Sequence, residues 1–215
     1  MEGEMDLYAH WLRMCTALQM HATRRQQELM WRSLESCYRE PHRFYHTSLH
    51  LQECLELLQS LDGGGVEEDP GLHFALFYHD AIYDTTRRDS EERSALLARN
   101  AQLYLGVEVS NLDGLILATR HGIISTDSRE RLVVDVDLAI LGAPRGRYEG
   151  YMKQIRREYG WLLEENPEAF RQGRKAVLDR FLTRARTGEL FHHPELRWVH
   201  EPRARDNIIF ELKTL

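Results

Sequence analysis

Apolar residues recur at three- and four-residue spacing from the start of the chain. Leu7, Trp11, Met14 and Leu18 fall on one helix face and predict an amphipathic helix over about 5–20. Leu29, Leu34 and Tyr38 predict a second over about 25–39, ended by Pro41. The segment Arg43-Phe44-Tyr45-His46-Thr47-Ser48-Leu49-His50 leads into Leu51, Leu55, Leu57, Leu58 and Leu61. This is a third helix, stopped by Gly63-Gly64-Gly65. An acidic loop, 66–71, follows.

The pattern then changes. From Leu72 to Tyr78 there is no charge, and His79 and Asp80 arrive side by side before Ala81, Ile82 and Tyr83 resume the apolar run. A run this apolar is a buried helix or a buried strand, and periodicity alone does not separate them. The helical surroundings predict a core helix. A carboxylate costs several kcal/mol to bury unless it is paired or bound to metal. His79-Asp80 is therefore either a hydrogen-bonded structural pair or part of a site.

Further on, Asp89 or Ser90 caps a helix that Gly106 closes. Val109, Leu112, Leu115 and Ile116 mark the next, ending near Thr119-Arg120-His121-Gly122, and 123–130 reads as a loop. The β-branched run Val134-Asp135-Val136-Asp137-Leu138 imitates a strand. Its two aspartates, and the lack of a partner strand elsewhere, favour a helix over 131–141. Tyr148, Tyr151, Ile155 and Tyr159 predict one long helix over 145–163. Pro167 opens another that runs to about 187, and the tail holds a His192-His193-Pro194 loop and a last helix over 204–212. There is no internal repeat. The expectation is an all-α, single-domain helical bundle over 1–215, with a core at about 40–165 and terminal helices packed on it.

Composition narrows the class. The chain has 215 residues, 42 % of them hydrophobic, enough for a sizeable core. Its formal charge of −6 argues against general nucleic-acid binding. The charge is uneven, with arginine-rich stretches at 129–157 and 171–186 and acidic ones at 53–69 and 164–168. Cys15, Cys37 and Cys54 are odd in number and contain no CxxC, so neither a disulfide framework nor a thiolate zinc site is expected. With an acidic, non-apolar N-terminus and no run long enough for a membrane span, the expectation is a soluble cytoplasmic protein without membrane partners.

Four places supply metal-type ligands: His46 and His50, His79-Asp80, His121, and Asp135 with Asp137. His46 and His50 share a helix face. Asp135 and Asp137 point to different sides, so at most one joins a common site. Each has an ordinary structural explanation alone; His121, for instance, suits a helix C-terminus. Together they suggest a mixed nitrogen and oxygen site, fitting Mn, Fe, Co, Ni, Zn or Mg better than a thiolate-selecting one. His192, His193 and His200 imitate a cluster but sit in a polar tail and read as surface residues.

The order His, His-Asp, Asp resembles the HD superfamily of metal-dependent phosphohydrolases, and the branch described as predicted metal-dependent hydrolases in particular. The likeness is carried by Tyr38 to His50, Ala75 to Asp84, Asp135 to Gly142, Tyr151 to Tyr159 and Ala204 to Asn207. It implies an HD-type helical fold and a divalent metal held by His79, Asp80, an upstream histidine and a downstream aspartate. Arg43 stands three residues before His46, as in many relatives, which selects His46 as ligand and leaves His50 to line the site. Val136-Asp137-Leu138 selects Asp137. The family's Asn-Glu is Ser90-Glu91 here, so Glu91 is the residue left to orient water or substrate. Asp80 would also accept a proton, and His50 or His121 would steady the transferring phosphate. Arg43, Asp84, Arg87 and Arg88 are the candidates to hold the substrate, although loop charges such as Arg87 and Arg88 are as readily explained by solvation.

The implied activity is hydrolysis of a nucleotide or other small phosphate ester by metal-activated water. Two alternatives stand beside it: a di-iron HD-type oxygenase, and a nucleotide-binding HD domain without turnover.

Overall fold

The computed structural model describes residues 5–61, 63–122 and 124–215. The acidic first four residues, Asp62 and Ile123, which opens the expected 123–130 loop, lie outside them. The described residues are helical, with no strand among them. The β-branched run before Asp137 is helix.

Chain order is α1 (Leu7–Ala17), α2 (Arg24–Tyr38), α3 (Ser48–Ser60), α4 (Pro70–His79), α5 (Ser90–Leu105), α6 (Leu112–Leu117), α7 (Ser128–Asp137), α8 (Arg145–Glu158), α9 (Gly160–Glu165), α10 (Pro167–Thr187) and α11 (Pro194–Thr214). Single 3₁₀ segments continue α6 through Ala118–Arg120 and α7 through Leu138–Gly142. Local chemistry sets several ends. The Asp6 carboxylate accepts the N–H groups of Tyr8 and Ala9 at the start of α1. Thr23 and Gln26 form a reciprocal capping box on α2. Gly106 takes the left-handed conformation, φ 64°, that terminates α5.

Two differences from the sequence expectation have local causes. The expected helix 145–163 is divided at Tyr159, just before Gly160, a poor helix former. The last helix starts at Pro194, ten residues earlier than expected, and runs through Pro202. A mid-helix proline normally ends a helix because it removes a hydrogen bond and clashes with the preceding turn. Burial on both sides outweighs that cost. Leu196 precedes the proline, and Ala204, Asn207 and Ile208 follow it, all buried. The Asn207 amide donates to the carbonyls of Leu141 (2.8 Å) and Ala143 (2.9 Å).

The chain forms two compact units, Met1–Val136 and Asp137–Leu215. In the first, α4 is the central element, packed against α1, α3, α5 and α6. Every residue from Gly71 to His79 is buried, so the helix is enclosed on all sides. Trp11, Phe74, Phe77 and Tyr78 form its aromatic core, with the Trp11 and Phe77 rings edge-on at 5.3 Å. The start of α4 is doubly secured. Asp69 accepts the Leu72 N–H at 3.1 Å and a two-pronged contact from Arg129 of α7 at 2.7 and 2.9 Å. In the second unit, α11 packs on α10, α8 and the Leu138–Gly142 turn. Gly142 faces His200 so closely that a β-carbon there would meet its backbone oxygen at 2.6 Å.

All three cysteines are free thiols. No described helix is long and apolar enough to cross a membrane.

Candidate metal centre

The site begins where α4 ends. His79 is the last helical residue, and Asp80 leaves the helix with φ −114° and ψ 20°. His79 is buried, while the Asp80 side chain keeps 16 % of its surface exposed. The end of the central helix thus delivers an imidazole inside the core and a carboxylate at its edge. His50 reaches the same point from the first turn of α3, also buried. Asp137 is the last residue of α7, whose other residues all belong to the first unit.

His50, His79, Asp80 and Asp137 each bring a ligand atom to within 4.8 Å of one another. His79 Nε2 is 3.2 Å from Asp80 Oδ2 and 3.3 Å from His50 Nε2, and His50 Nε2 is 3.5 Å from Asp80 Oδ2. The other nitrogen of His79 decides what these contacts mean. Nδ1 lies 2.7 Å from the Leu76 carbonyl, which only accepts, so Nδ1 carries the hydrogen. A neutral His79 therefore presents a lone pair at Nε2. That lone pair faces a second imidazole nitrogen and a carboxylate oxygen. A proton on His50 Nε2 satisfies one such contact; a divalent cation satisfies all four groups together. Two imidazoles and two carboxylates are a hard-to-borderline donor set. The cluster could hold a metal ion, and the Nδ1 hydrogen bond is the orienting contact that metal-binding histidines ordinarily make.

Without a cation the same contacts are met instead by imidazoles that carry positive charge and donate to Asp80. Burial alone would push the Asp80 carboxyl up, but the neighbouring imidazoles of His79, His50 and His46 hold it well below the usual carboxylate range. Burial pushes the Glu91 carboxyl up; the negative Asp80 adds to this, and Arg120 opposes it.

Three of the four residues expected as ligands, His79, Asp80 and Asp137, lie in the cluster, and His50 takes the fourth place instead of His46. His46 precedes Thr47, the residue before α3, and stacks on Tyr83 with ring centroids 3.9 Å apart. Its ring stands 5.6 Å from that of His50, close by but outside the quartet. Asp135, the unchosen aspartate, is fully buried on α7.

Arg43, expected on the substrate, is turned inward; its side chain is buried and donates to Glu40 and to the carbonyls of His46, Asp80 and Ala81. The Asp84 carboxylate is engaged locally, accepting the backbone N–H (2.9 Å) and hydroxyl (2.6 Å) of Thr86. Arg87 is exposed and grips Asp89 with two bonds of 2.7 Å. The Arg88 carbonyl accepts from Arg120 at 3.3 Å. His121 holds a left-handed conformation, φ 55°, just beyond the Ala118–Arg120 turn. That is an uncommon backbone state for a residue with a side chain. The histidines at 192, 193 and 200 are partly buried and form no such ligand cluster among the described residues.

Two neighbours of the site were not singled out from sequence. Arg120 reaches Glu92 at 2.6 Å and lies 4.0 Å from Glu91. Cys54, one turn after His50, places its sulfur 3.7 Å from His50 Nδ1 and 3.7 Å from the Val136 carbonyl. The helical spacing of His50 and Cys54 is visible in the sequence, whereas the approach of Val136 is not.

Comparison with protein-family models, with curated proteins and with solved structures finds no match.

Proposed function

We propose that this protein is an HD-type, metal-dependent phosphohydrolase acting on a nucleotide or another small phosphate ester. The observation that carries the reading is the convergence of His50, His79, Asp80 and Asp137, with His79 oriented by its Nδ1 hydrogen bond so that Nε2 faces the cluster. Those four residues would hold a divalent cation. Such an ion supplies, when bound, a water acidic enough to ionise near neutral pH and positive charge beside the phosphoryl oxygens.

The chain's own residues have distinct tasks. His50 and His79, both buried, keep the inner wall of the site dry and fixed. Asp80, at the exposed edge, is held ionised by its imidazole neighbours and so offers an anionic oxygen to the cation. Glu91 is partly buried beside Arg120, and we assign it to orient water or the substrate. Arg120 is the cation we assign to the substrate's phosphate. It is nearly half exposed and is now held by carboxylates that a phosphate would compete with. Arg87 is a weaker choice because Asp89 already satisfies its fork.

The test is phosphate release by purified protein supplied with manganese, cobalt, magnesium or iron, over a set of nucleotides and sugar phosphates, with and without oxygen. The expected result is metal-dependent release that oxygen does not affect. Turnover only with iron and oxygen would place the protein with the oxygenases. Tight nucleotide binding without turnover would make it a binding module.

A further inference from the structure

Arg43 lies in the connection between α2 and α3, and its side chain has no exposed surface. Nε donates to Glu40 Oε2 at 2.9 Å. One terminal nitrogen donates to the carbonyls of Asp80 (2.6 Å) and His46 (3.2 Å), and the other donates to the Ala81 carbonyl (2.9 Å) and pairs with Glu40 at 2.8 Å. The guanidinium also lies 5.4 Å from the ring centre of Tyr38 and 5.7 Å from that of Tyr83. Burying a cation is costly unless its donors are met. Here two of the acceptors are carbonyls just past the end of α4, where the helix itself provides no partner. A cation at that end also complements the helix dipole.

We propose that Arg43 is a positioning residue for the candidate metal centre. It caps the end of α4 through Asp80 and Ala81 and ties that end to the His46 carbonyl, four residues before His50. One side chain thereby fixes the His79-Asp80 turn relative to the start of α3, the two backbone segments that supply three of the four ligand side chains. The geometry calls for a planar fork with donors diverging in three directions, which an ammonium group does not offer. This assignment rests on the quartet being a metal site, as the function proposed above requires.

The experiment is titration of the full-length, metal-free protein with Co²⁺, following visible absorption, at a temperature where circular dichroism shows every variant folded. R43Q is expected to bind Co²⁺ about 10–100-fold more weakly than wild type and with an altered band shape, the size of effect typical of residues behind metal ligands. R43K should fall between the two. E40Q, which loosens the partly exposed partner of Arg43, should shift affinity in the same direction by less. L105A is the control: it opens a cavity at the end of α5, lowers thermal stability, and should leave the Co²⁺ spectrum and affinity unchanged. If R43Q does not fold, R43K and E40Q decide the matter. Wild-type affinity and spectrum in both of those would overturn the assignment, as would a spectral change in L105A equal to theirs. Absence of Co²⁺ binding by the wild type would overturn it together with the function proposed above. Weakened metal binding in the Arg43 variants of a protein that releases no phosphate would sustain the assignment and remove the phosphohydrolase reading alone.

Discussion

The Leu76 carbonyl accepts a 2.7 Å hydrogen bond from His79 Nδ1, three residues later on the same helix. Because that carbonyl cannot donate, Nδ1 carries a hydrogen, and Nε2 is the nitrogen turned toward His50 and Asp80. This one contact fixes which His79 nitrogen the cluster can use.

The two histidines four residues apart are expected to separate on substitution. His50→Ala removes a member of the quartet and should abolish retention of metal through gel filtration. His46→Ala removes a ring that stacks on Tyr83 outside the quartet and should keep most of it. Metal analysis of the two purified variants checks this, and the opposite pattern would restore His46 as the ligand.

Asp80→Ala should lose metal altogether, since it deletes an anionic ligand and leaves two imidazoles facing each other. The substitution is at a partly exposed position, so the metal-free variant should remain folded. Full metal content in a folded Asp80→Ala protein would remove Asp80 from the site.

Stability should fall on mild acidification because of a buried histidine pair, His10 and His73, outside the quartet. His73 Nε2 lies 2.9 Å from the Gly64 carbonyl, His10 Nε2 lies 2.9 Å from His73 Nδ1, and Arg13 donates to His10 Nδ1 at 2.9 Å. Each proton position is thereby assigned, with both rings neutral. Burial, helped by His73 and Arg13, lowers the His10 pKa from 6.5 to about 3. Burial lowers that of His73 as well. The unfolded chain takes up these protons first, so stability is complete above pH 6.5 and declines as pH falls from there toward 3. The slope contributed by His10 is at most about 1.4 kcal/mol per pH unit. Urea denaturation at pH 7, 6 and 5 should show the decline, and His10→Gln should make it shallower. An equal slope in both proteins would contradict this account.

In the second unit, Arg174 donates to both Glu211 oxygens at 2.7 and 3.0 Å and to the Tyr151 hydroxyl at 3.1 Å, while Tyr148 donates to Glu211 at 2.5 Å. Arg174→Met leaves the Glu211 carboxylate buried without its cation and should cost about 3–5 kcal/mol. Tyr148→Phe removes one donor and should cost about 1–3 kcal/mol. Chemical denaturation of each variant measures the difference. Equal, small losses would show that this pair is not the unit's electrostatic anchor.

What the amino-acid sequence determined by itself is short-range. Apolar spacing, capping residues and glycine stops placed α1 to α5 within a few residues, and the uncharged run before His79 marked α4 as the central helix. The residue types of the candidate cluster, and their arrival at the polar breaks of apolar helices, were equally legible. What only the tertiary structure decided is direction. Four-residue spacing makes His46 and His50 equivalent on paper; the start of α3 after Thr47 places His50 inside the helix and His46 before it. Arg43 reads as a substrate cation until the end of α4 brings it the carbonyls of Asp80 and Ala81. Pro202 reads as a helix boundary until burial of Asn207 and Ile208 carries α11 past it. In each case the deciding partner lies far along the chain, and a hydrogen bond or buried surface supplied from that distance outweighs a local preference of a few kcal/mol at most.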